Sequence, residues 1–80
     1  MSVQPNPTAG NTQISFQLNG RNQVRVELLD ISGRLQRVLF AGAGAGAMQV
    51  DAAVGDLPAG VYFVRVTDGI GSGVQRLVVQ

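Results

Sequence analysis

Leu57-Pro58-Ala59-Gly60-Val61-Tyr62-Phe63-Val64-Arg65-Val66 decides the architecture. A Pro/Gly turn releases the chain into a run in which Tyr62, Val64 and Val66 share one face, opposed by Val61, Phe63 and Arg65. That is the period-two pattern of a half-buried strand. A tyrosine just after a turn can bury its ring and return its hydroxyl to backbone upstream, so Pro58 and Tyr62 are expected to form a structural corner.

The same alternation spreads outward from this strand. Ile14, Phe16 and Leu18 share a face of Thr12–Leu18, and Val24, Val26 and Leu28 share one of Gln23–Leu29. Leu77 and Val79 continue it in Val74–Gln80. Weaker strands are expected at Arg34–Phe40 and Ala47–Ala52, with a short extended piece at Val3–Gln4. The expectation is therefore all-β, an antiparallel sandwich of about seven strands, because one sheet does not cover its own apolar face. Phe16, Val26, Leu28, Tyr62, Val64, Val66 and Leu77 are the expected core.

Glycine and asparagine mark the turns. Asn19-Gly20-Arg21-Asn22 is expected to close a hairpin, since Asn-Gly tolerates positive φ. Asp30-Ile31-Ser32-Gly33 is expected to form the next turn, with Asp30 and Gly33 as its structural residues. Asp68–Gly73 is expected to close the last hairpin. Gly42-Ala43-Gly44-Ala45-Gly46-Ala47 reads as a flexible surface loop, and Pro5-Asn6-Pro7 as an extended, stiffened entry to the domain.

Composition narrows the function. Eighty residues make one domain, 1–80, with a marginal core and no cysteine to staple it. Neither histidine nor cysteine is present, which removes zinc sites of those ligands and the usual general base. Six arginines against five acids leave a net charge of +1, far from the excess that nucleic-acid binding needs. The glycine runs lack the helix N-terminus and lysine of a phosphate-cradling loop. Asp30, Asp51, Asp56 and Asp68 match no calcium-loop spacing and are expected to form turns and caps. Leu57-Pro58-Ala59-Gly60 lacks the threonine, anchor and basic tail of a Gram-positive sortase signal. No enzyme, cofactor, metal or small-molecule substrate is expected. Met1–Pro5 shows no secretory leader, which taken alone suggests a cytosolic protein; the alternative is that the chain is a piece of a larger precursor.

Four blocks occur in order: Pro5-Asn6-Pro7, Val24-Arg25-Val26-Glu27-Leu28-Leu29-Asp30-Ile31-Ser32-Gly33-Arg34, Leu57–Val66, and Arg76-Leu77-Val78-Val79-Gln80. Together they resemble the type A C-terminal sorting domain of the type IX secretion system of Bacteroidetes, across essentially the whole chain. Three positions depart from the family pattern: Gln4 and Leu29 stand where aromatics are frequent, and Arg76 where lysine is usual.

The resemblance implies an immunoglobulin-like sandwich that directs an upstream, covalently linked cargo from the periplasm across the outer membrane. The implied partners are the outer-membrane translocon, a shuttle protein and a surface sortase, and the implied destination is the cell surface or the medium. It points to Gly60, Val61, Tyr62, Arg76, Leu77, Val78, Val79 and Gln80 as the residues read by the machinery. The physical route expected for that recognition is the open edge of the last strand and its terminal carboxylate. A non-catalytic spacer, adhesion or carbohydrate-binding module of a larger extracellular enzyme is the alternative reading.

Overall fold

The computed structural model describes residues 1–80 and forms five strands: β1 (Ser2–Gln4), β2 (Asn11–Leu29), β3 (Leu35–Ala53), β4 (Gly60–Thr67) and β5 (Ser72–Val79). All pairings between them are antiparallel and belong to one sheet. β3 runs beside β2 along nearly its full length. The other edge of β2 carries β1 at Gln13–Ser15 and then β4 at Arg25–Leu29, and β5 follows β4.

Two expected loops are strand. Asn19–Asn22 does not reverse the chain but lies inside β2, and Gly42–Ala47 lies inside β3 opposite it. Seven expected strands therefore become five, because the two halves of β2 are continuous, as are those of β3. The physical reason is a bulge. Gln17 pairs with Ala47 and Arg21 with Ala45, so Leu18, Asn19 and Gly20 stand opposite Gly46 alone. Gly20 at φ 83° and Gly46 at φ 62° supply the left-handed backbone this needs. Asn-Gly is thus used for its φ, to bend a strand rather than to end one.

The Gly-Ala run is strand of the plainest kind. Gly42, Gly44 and Gly46 are half-buried while Ala41, Ala43, Ala45 and Ala47 are exposed, a period of two written only in methyl groups. A Cβ on Gly44 would stand 3.0 Å from the Met48 thioether and 3.2 Å from Leu18 Cδ1, which explains a glycine on that face.

Bending the β2–β3 ribbon makes the sheet curl over its own apolar face, contrary to the expectation that a single sheet leaves that face uncovered. Val3, Ile14 and Leu18 from one half meet Val26, Leu28, Val64 and Leu77 from the other in one cluster. Ile14, Val26, Leu28, Val64 and Leu77 are fully enclosed, each worth about 1.5–3 kcal/mol of transfer free energy. Of the expected core, only Phe16 is half-buried, packed on the rim of this cluster.

Two expected turns form. Gly33, at φ 86°, lets its N–H reach the Asp30 carbonyl at 2.9 Å, and Asp30 Oδ1 accepts from Ser32 N–H, Ser32 Oγ and Arg34 N–H. Asp68 Oδ1 accepts from the N–H groups of Ile70 and Gly71 in the β4–β5 turn. Pro5–Pro7 is bent rather than extended, and both of its X–Pro bonds are cis.

Candidate functional site

The blocks Gly60–Tyr62 and Arg76–Gln80, separate in sequence, lie side by side on the β4–β5 hairpin. Gly60 is opposite Val79, Val61 opposite Val78, and Tyr62 opposite Leu77. Strand alternation then sorts them. Tyr62, Leu77 and Val79 are buried in the core, Val61 and Val78 are half-buried on the outer face, and Gly60, Arg76 and Gln80 are exposed.

Tyr62 makes the corner its position suggests. Its ring is buried and its hydroxyl donates to the carbonyl of Pro58 at 2.6 Å. The strand entry is thereby tied to the turn that precedes it, and a backbone acceptor at the end of the curl is satisfied.

The outer face carries an ion cluster beside an apolar strip. Cross-strand partners share a face, which places Leu29 beside Phe63, Phe63 beside Arg76, and Glu27 beside Arg65. Glu27, nearly enclosed, accepts from Arg25 Nε at 2.9 Å and from Arg65 Nε at 3.0 Å, and Arg65 Nη2 lies at ion-pair distance, 2.9 Å, from the same carboxylate. The hydrogen bond from Arg25, followed by the Arg65 guanidinium, holds the Glu27 carboxyl below its ordinary value against the opposing effect of burial.

The edge of β5 is only partly open. Arg76 C=O, Val78 N–H and C=O, and Gln80 N–H point away from β4, and all four have partners. Asn6 Nδ2 donates to Arg76 O at 2.7 Å, and Asn6 Oδ1 accepts from Val78 N–H at 3.0 Å. Thr8 N–H donates to Val78 O at 2.9 Å, and Thr8 O accepts from Gln80 N–H at 2.8 Å. The expectation of unpaired backbone along the whole last strand is corrected here. Pro5 and Pro7 have no N–H to offer, so the Asn6 side-chain amide takes the place of a peptide group.

Asn6 and Thr8 were not legible as contacts of the last strand, and neither was Glu27 as the centre of a cluster. One signal was present: an asparagine between two prolines is the one residue there with a donor and an acceptor on the same short side chain.

The aspartates stay apart, and no group of three acidic residues forms a candidate metal site. Asp30 and Asp68 hold turns. Asp51 differs from expectation, lying within β3 and accepting from Gln13 Nε2 at 3.0 Å, while Asp56 pairs with Arg37 at 2.8 Å.

A family model described as a secretion system C-terminal sorting domain matches residues 2–80. The chain belongs to that family. No curated protein matches the chain significantly. As a type IX sorting domain it is a secretion signal, and its destination is the cell surface or the extracellular space. In this sorting domain Gly60–Val66 and Arg76–Val79 lie on the two paired strands of one hairpin and so form a single physical surface.

Proposed function

We propose that this sorting domain is read through the outer face and edge of its β4–β5 hairpin by the outer-membrane translocon and a shuttle protein. A surface sortase then acts upstream, on the link to the cargo. The domain performs no chemistry of its own and needs no cofactor. The observation that carries this reading is the pairing of Gly60–Phe63 with Arg76–Val79, which gathers Val61, Phe63, Arg76 and Val78 on one accessible side. Tyr62, Leu77 and Val79 serve the same signal indirectly, by holding the hairpin on the core.

The fold reading goes with it. Counting the halves of β2 and of β3 on either side of the Gly20–Gly46 bulge separately gives seven segments around one core. This supports an immunoglobulin-like sandwich whose layers are joined by continuous, bent strands.

The test is a reporter carrying a Sec leader, fused ahead of residues 1–80 in a host with type IX secretion. Delivery to the surface or medium is expected. Val61→Lys and Val78→Lys alter the outer face and leave the buried side chains in place, so both are expected to trap the reporter in the periplasm. Ile31→Lys, in the exposed Asp30–Gly33 turn, is expected to export normally. Folded Val61 and Val78 variants that export as well as the parent would overturn the hairpin as the surface that is read.

A further inference from the structure

β5 is two different half-strands. Leu77 and Val79 are buried, whereas all five residues Ser72–Arg76 are exposed, including Gly73 and Gln75, which share the inward register of Leu77. The edge divides at the same place. The bonds from Arg76 O, Val78 and Gln80 fix the even-numbered residues as those whose backbone points away from β4. The outward N–H and C=O of Ser72 and Val74, and the N–H of Arg76, therefore lie beyond the strap formed by Asn6 and Thr8. A strand paired on one side only, with such groups in a row, is a template for another strand.

The charge beside this edge has a sign. Arg65 is the cross-strand partner of Val74, and Arg25 shares Glu27 with it, so two guanidiniums face one carboxylate. Arg76 has no acidic partner within ion-pair distance. Asp68, in the turn at the far end, is committed to the N–H groups of Ile70 and Gly71. Val74 lies 57% exposed between Arg65 and Arg76, an apolar step on a cationic face.

We propose that the Ser72–Arg76 edge is the docking site for an extended segment of the secretion machinery that carries an acidic residue and adds to the sheet as a strand beside β5. Backbone bonds to Ser72, Val74 and Arg76 supply the pairing. The acidic side chain meets Arg76, and an apolar neighbour covers Val74. This rests on the sorting function proposed above and narrows it to one edge and one partner chemistry.

Two variants and a synthetic probe test it. Val74→Pro removes an outward N–H while leaving the bonds to β4, and Arg76→Glu reverses the charge; thermal melting establishes that each is folded. In the reporter assay each is expected to lower export about tenfold, the scale of one or two lost hydrogen bonds. Ala43→Lys, on the exposed face of β3, is expected to export normally. In vitro, the peptide Thr-Val-Glu-Val-Thr-Val is expected to slow hydrogen exchange at the Val74 and Arg76 amides of residues 1–80, and its Lys-for-Glu counterpart is expected to do so much less. If the parent fusion is not exported, the sorting reading itself fails. Normal export by folded Val74→Pro and Arg76→Glu removes the docking edge and leaves the sorting function standing. Equal protection by both peptides removes the acidic partner.

Discussion

The side-chain amide of Asn6 hydrogen-bonds both the carbonyl of Arg76 and the N–H of Val78, across separations of 70 and 72 residues. The first strap of the chain is thus stitched to its last strand by an asparagine acting as a peptide group.

Asn6→Ala is expected to cost about 1–2 kcal/mol, since two backbone groups lose partners but gain water. The measurement is chemical denaturation together with hydrogen exchange at the Val78 amide, which should quicken. Asn6→Asp keeps the acceptor for Val78 and loses the donor to Arg76, so it should fall between parent and alanine. An unchanged Val78 exchange rate in Asn6→Ala would show that the stitch is not formed in solution.

Tyr62→Phe leaves the ring buried and deletes only the bond to Pro58. A loss of about 1 kcal/mol is expected, or roughly 4–8 °C in Tm for a domain of this size. A variant that melts with the parent would mean that the corner is held by ring packing alone.

Gly20 and Gly46 carry the bend of the β2–β3 ribbon in left-handed backbone. Gly20→Val and Gly46→Val should each destabilise by at least about 1 kcal/mol. Gly44→Ala should cost less, because the atoms nearest its new methyl belong to the flexible Met48 and Leu18 side chains. Urea midpoints for the three variants give the ranking. A Gly44 variant worse than both others would place the strain in packing rather than in φ.

The carboxyls of Glu27, Asp30, Asp56 and Asp68 are all held below their ordinary values. The leading causes are, respectively, the hydrogen bonds from Arg25, Ser32 Oγ, Arg37 and Gly71 N–H. Because these pKa values are depressed in the folded state, their stabilisation is full above the unfolded values of 4.5 and 3.8 and is lost as pH falls through the folded ones. With no histidine in the chain, Tm should be flat from about pH 8 to pH 5 and fall below about pH 4.5. A transition centred near pH 6 would contradict this.

Much of the fold was legible where local chemistry has one outcome. The Asp30–Gly33 turn, the Asp68–Gly73 turn and the Tyr62 corner each close over four to six residues and form as their sequences suggest. Asn19-Gly20 lies inside a strand and not at a hairpin because positive φ serves a hairpin or a bulge equally well, and only the pairing with β3 decides. The Gly-Ala run hid its alternation, since methyl and hydrogen give no hydropathy contrast. The family blocks pointed to Gly60–Tyr62 and Arg76–Gln80, and the hairpin expected at Asp68–Gly73 put them on neighbouring strands, but local sequence does not give the register that sets Tyr62 opposite Leu77. Nor does it reveal a strap that closes half the edge of the final strand.

That strap has a consequence for timing. The β2–β3 and β4–β5 hairpins start at local turns, but the first half of β2 must wait for Ala47–Ala53, and Asn6 and Thr8 must wait for Arg76–Gln80, so most of the closure spans long stretches of chain. Chains dominated by such distant closures fold slowly, on the scale of about milliseconds to seconds. A truncated or half-threaded chain lacks the seam altogether. The seam is therefore completed late and as a whole, and the part of the β5 edge that it closes is set only when the two ends of residues 1–80 have met.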